Sequence, residues 1–453
     1  MTRSALTFAI LALALAVAPL GRAALPPGYG GTIRVASSEP LRLPEPAQAR
    51  SLVEATLADA VFDPLDSLGV APPEVVDGDL RFTLRDGLRR HDRRPVLARD
   101  VVAHLRRLHQ GPGAHWLAPL REERGRPVAV AEDERRLSLA PADPGADLRP
   151  LLALRPLAFR AAVGTGTGPY RPRMVGSELR LFQFRAAARG APYIRDWRFL
   201  APRPRDEDLR ALVLGEVDAS FAGGSLHARR PQRPVRGHDF PEVAPVLLVP
   251  NPHRVRGEWA RVVGLVDRDR LARVGLRPSD RLAVDLEPPT QAVGAAPPSR
   301  AIVFLTPAGD RLGEELGRAL AAIFDAAGAR LVVETAPLER WSEVVHRGRW
   351  DLRWVEVPPP LPGTHPLAST ALLVAAQAAV GDGIGAASTW RGALAGTLDA
   401  ETRQRTARSL PALMLGMRRL SIHLDEELGG VGFDEAGRLR LGDPHLPRAR
   451  TGS

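Results

Sequence analysis

The chain has no cysteine and no lysine among its 453 residues. Without cysteine there can be no disulfide framework, no thiolate nucleophile, no thiolate zinc site and no lipid-modified cysteine at an N-terminus. All 62 basic residues are therefore arginine, against 52 acidic residues, and the formal net charge is +10. Because the arginines alternate with Asp and Glu instead of forming a basic run, this charge does not indicate a nucleic-acid-binding surface.

The motifs of common enzymes are missing as well. The sequence has no Gly-x-Ser-x-Gly elbow, no His-Glu-x-x-His helix and no Walker-type phosphate loop. His91, His104, His109 and His115 lie close in the sequence, but none are three or four residues apart, so we predict surface or capping histidines instead of metal ligands. An exported enzyme therefore stays only a remote alternative.

The N-terminus has the layout of a secretory signal peptide. Arg3 is followed by an apolar stretch over residues 5–20 and by small residues that end at Ala23, where we expect cleavage. The apolar stretch is shorter than the roughly 20 residues that span a bilayer, so we favour export over an uncleaved anchor. An exported chain without cysteine is expected in the periplasm, and it is not a lipoprotein.

Beyond the signal peptide the pattern predicts strands that alternate with helices. The predicted strands cover residues 33–35, 80–85, 178–185, 197–200, 246–250, 301–305, 329–334 and 350–357. The predicted helices cover residues 47–62, 98–108, 206–214, 310–327 and 338–347. The segment 222–245 is rich in Arg, Pro and Gly, so it is predicted as a surface loop or linker. This alternation predicts an α/β fold, and the length suggests roughly two to four compact units.

Five short motifs occur in the order found in the extracellular solute-binding proteins of family 5, the peptide- and nickel-binding components of bacterial ABC transporters. They are Leu-Arg-Phe-Thr-Leu-Arg-Asp-Gly-Leu-Arg-Arg-His-Asp at 80–92, Gly-Thr-Gly-Pro-Tyr at 166–170, Leu-Val-Leu-Gly-Glu-Val-Asp-Ala at 212–219, Val-Asp-Arg at 266–268 and Trp-Asp-Leu at 350–352. With the export signal, these motifs make the chain resemble a divergent member of that family.

The resemblance implies an α/β fold of the periplasmic-binding-protein type, with two lobes and an extra subdomain on the first lobe. The expected parts are a signal peptide (1–23), a first lobe (24–45, 165–250 and about 420–453), an extra subdomain (46–164) and a second lobe (251–419).

The resemblance also implies the function. Such a protein captures a small solute or a peptide between its lobes and delivers it to an ABC transporter permease, and it acts as a monomer. It has no catalytic residues, and we expect no cofactor, no metal and no nucleic acid. A divergent binding lobe that acts as a sensor or as a partner of a membrane protein, without transport, is the alternative.

The sequence departs from the family at the anchor for a peptide's amino group. In peptide-binding members, the strand that begins at a position like Asp351 leads to a Trp and then to an Asp that pairs with the ammonium. The corresponding positions here fall at Val357 and Pro360. Proline carries no charge, so binding of a peptide through the usual anchor is not expected.

The candidate ligand-binding residues lie where the cleft is expected. They are Ser37, Ser38 and Glu39 after the first strand, with Trp354 and Glu356 on the second lobe. An aromatic face beside a carboxylate suits a cationic or amphipathic solute. For Trp354, packing in the core is an equally good interpretation.

Overall fold

The computed structural model describes residues 27–221, 235–255, 258–271, 276–277 and 300–425, with 298, 428, 430, 432, 439–441 and 446–447. The predicted signal peptide, residues 1–23, and the linker residues 222–234 lie outside the described residues. In the described part of the chain, no helix combines the length and the apolar character needed to cross a membrane.

The strands of the described residues are short, except for two in the middle of the fold. In chain order they are β1 (Pro27–Gly28), β2 (Thr32–Ala36), β3 (Glu74–Val76), β4 (Asp79–Thr83), β5 (Glu122–Glu123), β6 (Arg126–Pro127), β7 (Ala129–Ala131), β8 (Arg136–Leu139), β9 (Tyr170–Val175), β10 (Glu178–Gln183), β11 (Asp196–Leu200), β12 (Ala219–Ser220), β13 (Val235–Pro250), β14 (Leu276–Arg277), β15 (Ile302–Pro307), β16 (Leu331–Ala336), β17 (Leu352–Glu356), β18 (Leu413–Asp425) and β19 (Leu446–Pro447).

The helices are amphipathic or buried and lie between these strands. They are α1 (Leu52–Val61), α2 (Ala98–His109), α3 (Arg149–Ala153), α4 (Arg205–Val213), α5 (Trp259–Leu265), α6 (Arg268–Leu271), α7 (Arg311–Ala326), α8 (Trp341–Arg347), α9 (Ala368–Val380), α10 (Gly383–Leu394) and α11 (Ala400–Arg408). Ser51 caps α1 by accepting a hydrogen bond from the backbone N–H of Glu54, and Asp310 caps α7 in the same way from Gly313.

One large mixed sheet organises the molecule, with strand order β16-β15-β17-β13-β18-β12-β2-β11-β10-β9. The long strands β13 and β18 are antiparallel and lie in its middle. β13 pairs with β17 on one side, and β18 pairs through β12 with β2 on the other. We call the part built on β2 and β9–β12 the first lobe and the part built on β15–β17 the second lobe. Two continuous strands therefore run between the lobes.

A second, smaller sheet has the order β3-β4-β8-β7 and packs against α2. We call this unit the small-sheet region. It lies inside the predicted extra subdomain, whose boundaries stay a prediction.

The core of the small-sheet region is not confined to it. Buried residues between positions 65 and 159 share one apolar cluster with residues that follow the second-lobe strand β17. The latter are Leu361, Ala371, Val374, Ala386, Trp390 and Leu394. Helices α9 and α10 therefore pack against the small-sheet region.

Two of the family-like motifs meet in the first lobe. Gly166 donates its N–H to Nδ1 of His91 at 3.2 Å, and Nε2 of the same ring lies 3.0 Å from the Gly168 carbonyl oxygen. A Cβ at Gly166 would lie 2.4 Å from the Val61 carbonyl oxygen. Glycine is therefore required there for close packing on the end of α1.

The structure corrects the predicted loop at 222–245. Strand β13 begins at Val235, and residues 235–239 pair with Asp425–Ser421 of β18. The register shifts between Asp239 and Val243, and a proline at 241 lies in this irregularity. Proline is tolerated at such a bulge, so its presence misled the prediction.

The prediction of surface or capping histidines is wrong for His91 and His104. They are 3% and 2% exposed. Nε2 of His104 lies 3.2 Å from the Leu157 carbonyl oxygen, so both rings bond to buried backbone groups.

Candidate functional site

The predicted ligand-binding residues lie at the place where the two lobes face each other. Glu39, Trp354 and Glu356 line a common small cavity of about 70 Å³. Glu39 follows the carboxyl end of β2 in the first lobe, whereas Trp354 and Glu356 belong to β17 of the second lobe. Residues from both lobes therefore line this cavity, and their binding of a ligand stays a prediction.

Ser37 and Ser38 lie beside the cavity and have different contacts. The Ser37 hydroxyl donates to the Glu39 carbonyl oxygen at 2.8 Å and accepts from the Glu39 N–H at 3.3 Å. It is fully buried and shapes the turn after β2. The Ser38 hydroxyl lies 3.4 Å from Nη2 of Arg418, a residue of β18. Ser37 positions Glu39. Ser38 contacts a charged cluster that consists of Glu39, Glu356 and Arg418.

Trp354 is mainly a core residue. It is 6% exposed and belongs to the apolar cluster beneath α7. Its indole N–H donates to the Thr306 hydroxyl at 3.0 Å. A Cβ at Gly313 would lie 2.4 Å from the same indole nitrogen, so this glycine makes room for the ring. Little of Trp354 is therefore left to contact a solute.

Arg418 holds the centre of the charged cluster. Its Nη1 lies 2.5 Å from Oε2 of Glu356 and 3.5 Å from Oε2 of Glu39. The Ser51 hydroxyl donates to the other oxygen of Glu39. Because Arg418 lies on a strand that runs between the lobes, its guanidinium contacts both the Glu39 carboxyl group of the first lobe and the Glu356 carboxylate of the second.

The charges of this cluster are strongly perturbed. Burial raises the pKa of Glu39 to about 8, although Arg418 opposes the shift. Burial likewise raises the pKa of Asp310, which faces the same cavity, to about 6, although the N–H of Gly313 opposes it. Burial alone would lower the pKa of Arg418, but the nearby Glu356 and Glu39 raise it above its usual value. Glu39 is therefore largely protonated at neutral pH.

Glu356 also makes a direct contact across the cleft. Its Oε1 accepts the backbone N–H of Leu52 at 2.7 Å. Leu52 is the first residue of α1, where N–H groups have no partner within the helix and the helix dipole favours a negative charge. Both oxygens of Glu356 are thus occupied, one by α1 and one by Arg418.

A second cluster lies beside the first, in the first lobe. Glu54 pairs with Arg50 at 2.5 Å and with Arg42 at 2.8 Å. Burial would raise the pKa of Glu54, but these two arginines outweigh it and lower the pKa below its usual value. Glu54 is therefore ionised and neutralises much of the charge on both arginines.

A larger cavity of about 340 Å³ adjoins the small one. Residues of the first lobe and the small-sheet region line it together with residues of the second lobe; the former include Arg42, Arg50, His115 and Arg155, and the latter include Trp341, Arg353, Glu356, Pro358 and Ala379. Arg50, Trp341, Arg353 and Glu356 line both cavities, so the two form one cleft. Its size is in the range of sites that enclose a small solute, from about 300 Å³ upward.

The position of the family's peptide anchor holds no carboxylate here. Val357 is buried in an apolar cluster, and the Pro360 carbonyl accepts the N–H of Arg155 at 2.9 Å. Prolines 358–360 line the larger cavity instead.

Sequence reasoning missed the arginines of the cleft and Asp310. Arg418 follows an apolar stretch, residues 413–417, and nothing near it in the sequence marks a site. Asp310 carries the signal of a helix cap, which it also is. For Arg353 the sequence carried one local signal. It precedes Trp354 on β17, and consecutive side chains of a strand lie on opposite faces.

The described residues contain no group of three or more side chains that could hold a metal ion. No protein-family model matches the chain, and no curated protein matches it.

Solved structures are similar to this chain over nearly its whole length. The ABC transporter-associated periplasmic binding protein DppA from Helicobacter pylori, solved in complex with the peptide STSA, is 12% identical with a TM-score of 0.69, over 93% of this chain and 99% of that one. NikA from Staphylococcus aureus, solved with Ni(L-His)2, is 13% identical with a TM-score of 0.68, over 92% and 99%.

A third similar structure is the binding protein AgaA from A. tumefaciens R10 in complex with agropinic acid. It is 14% identical with a TM-score of 0.66, over 92% of this chain and 99% of that one. The fold predicted from the motifs is confirmed: the chain has the two-lobe α/β fold of these ABC-transporter solute-binding proteins.

Proposed function

We propose that this protein is an exported solute-binding protein that encloses a small solute between its lobes and delivers it to an ABC transporter permease. The observation that carries the proposal is the cleft itself. It lies between two lobes joined by β13 and β18, and residues of both lobes line it. In such a fold, hinge closure around the solute converts binding into a shape that a membrane partner recognises.

The location of the protein is part of the proposal. The signal-peptide pattern of residues 1–23 supports export to the periplasm, and the lack of cysteine argues against a lipid anchor. We propose a monomer that needs no cofactor. Fractionation of cells that express the full chain tests this, since a protein retained in the cytoplasm would contradict it.

A second candidate is a binding lobe that acts as a sensor or as a partner of a membrane protein, without transport. The contacts of Glu356 with Leu52 and Arg418 favour it, because these groups satisfy one another without a solute. Such a cleft stays closed more readily than one lined by unpaired charges.

A thermal-shift screen of the purified protein separates the two candidates. We expect at least one solute among peptides, opines, sugars, organic acids and metal complexes to raise the unfolding temperature, because binding stabilises only the folded state. If no solute has an effect and the protein still binds a membrane protein, the transport proposal is wrong.

A further inference from the structure

The charged side chains of the larger cavity are mostly arginines, and most of them are paired. Arg42 and Arg50 pair with Glu54, and Arg155 pairs with Asp59 at 3.0 Å. The one carboxylate in the lining, Glu356, pairs with Arg418 outside it. Arg353 is left over, so the cavity wall carries an excess of positive charge.

Arg353 makes few contacts for a buried cation. Its Nη2 donates to the Ala379 carbonyl oxygen at 2.8 Å, and its guanidinium lies 5.5 Å from the centre of the Trp350 ring. Its Nε is buried and has no hydrogen-bond partner among the described residues. No carboxylate of the described residues pairs with it, and burial lowers the pKa of its guanidinium.

The surroundings of Arg353 reduce the stability of the fold unless a bound group supplies hydrogen-bond acceptors and a negative charge. A guanidinium has five N–H donors in a planar fork, and the bond to Ala379 uses one of them. A buried charge without a counter-ion is unfavourable, and a carboxylate offers two acceptors that match the fork. Arg353 itself is part of the wall of a cavity large enough for a solute.

His115 lines the same cavity and supplies a second incomplete group. Its Nε2 is buried without a partner among the residues that the structure describes. Burial lowers the pKa of His115 to about 4, and a backbone hydrogen bond to Pro112 opposes this only in part. The ring is therefore neutral at pH 7. Because Nδ1 must carry the proton to bond to the carbonyl, Nε2 is left as an acceptor.

We propose that the solute is a small carboxylic acid that also carries an O–H or N–H group: Arg353 binds its carboxylate, and Nε2 of His115 accepts a hydrogen bond from its donor. Trp341, which lines the same cavity, offers apolar surface for its carbon skeleton. This inference rests on the proposed solute-binding function. It replaces the cationic solute that the pair Trp354 and Glu356 suggested, because Glu356 is already occupied by Arg418 and Leu52.

The first test compares probes that differ only in charge, by titration calorimetry on the wild-type protein. The pairs are gluconate with glucose, and N-acetyl-L-leucine with N-acetyl-L-leucinamide; putrescine serves as a cation and glycerol 3-phosphate as a phosphate. We expect at least one carboxylate to bind about tenfold or more tighter than its neutral counterpart, and putrescine not to bind.

The second test changes the arginine. Arg353→Gln should weaken binding of that carboxylate about ten- to hundredfold, and Arg353→Lys should weaken it less, because it keeps the charge but loses the fork. Arg349→Gln is the matched control, since Arg349 is exposed nearby, and it should change affinity less than about twofold. If Arg353→Gln does not fold, the wild-type affinities for the probe pairs and the affinity of Arg353→Lys for the carboxylate still test the proposal.

The outcomes separate this inference from the proposed function. Tight binding of putrescine, of a neutral probe or of the phosphate alone would overturn the carboxylate inference and leave solute binding intact. Equal affinity of the wild type and Arg353→Gln for a carboxylate would overturn the role of Arg353. If no solute binds in the broader screen either, the proposed function fails and this inference fails with it.

Discussion

The second lobe meets the rest of the molecule at two junctions of opposite character. At the polar junction, Arg418 and Glu356 connect to Glu39 and to the N-terminus of α1. At the apolar junction, α9 and α10 share a core with the small-sheet region. Trp390 is fully buried there, and its ring lies edge-on to Trp116 with centroids 5.4 Å apart.

Hydrogen bonds to backbone carbonyl groups reinforce the apolar junction. The Arg391 side chain donates to the Ala118 carbonyl at 3.0 Å, and the Asp147 N–H donates to the Leu394 carbonyl at 3.0 Å. Burial of apolar surface is non-directional and insensitive to pH, whereas ion pairs depend on geometry and on protonation. The comparison teaches that the apolar junction contributes constant stability and the polar junction contributes pH-dependent stability.

The largest effect is expected at the apolar junction. Trp390→Ala should lower the free energy of unfolding by about 3 to 5 kcal/mol, because it leaves a cavity where the ring meets Trp116. Denaturant unfolding measures this. Ile384→Ala, on the same helix but 88% exposed, is the matched control and should cost less than about 0.5 kcal/mol. Equal effects of the two changes would show that the junction is not a packed core.

A somewhat smaller effect is expected at the polar junction. Arg418→Met should lower the free energy of unfolding by about 3 kcal/mol, because it leaves Glu356 buried without its cation. The double variant with Glu356→Met should recover much of this loss, and Arg419→Met, at the exposed neighbouring position, should have little effect. A double variant that is as unstable as Arg418→Met would contradict the assignment of the pair.

The smallest effect concerns Glu39 and depends on pH. Its folded-state pKa, about 8, lies above the unfolded value of 4.5. The stability that protonated Glu39 contributes to the folded state is therefore complete below pH 4.5 and is lost as pH rises through 8. Glu39→Gln should match the wild type near pH 5 to within about 1 kcal/mol and become relatively more stable from pH 6 to 9.

Unfolding curves of both proteins across this range test the prediction, and other groups common to the two cancel in the difference. Glu54→Gln provides the contrast, because its pKa is lowered by Arg50 and Arg42 and its ionised form stabilises the fold at neutral pH. A constant difference between Glu39→Gln and the wild type would show that Glu39 does not titrate in this range.

Much of the fold could be predicted from the sequence, because its elements have local signals. The helix predicted at 310–327 is α7, Arg311–Ala326, whose buried Leu316, Leu320 and Ile323 repeat at helical spacing. The beginning of β13 could not be predicted in this way. Its composition resembles a loop, and only its pairing with β18 holds it extended.

The sequence predicted the position of the candidate site but not the contacts that its residues make. The ends of β2 and β17 were predicted at the cleft, and Glu39, Trp354 and Glu356 line it. The partners of these residues could not be predicted, since Glu356 bonds to Arg418 over 62 positions and to Leu52 over 304. Nor does any local pattern tell which of several arginines lacks a carboxylate.

The sequence by itself determined the alternation of strands and helices, the absence of every thiol-based site and the motifs that indicated the fold. These properties depend on composition or on neighbours within one turn or one strand, so they are legible along the chain. The tertiary structure decided which charges neutralise one another and that Arg353 and His115 line the same cavity, each with one buried nitrogen that has no hydrogen-bond partner among the described residues. Electrostatic interactions depend on distance in space and on burial, and folding sets both.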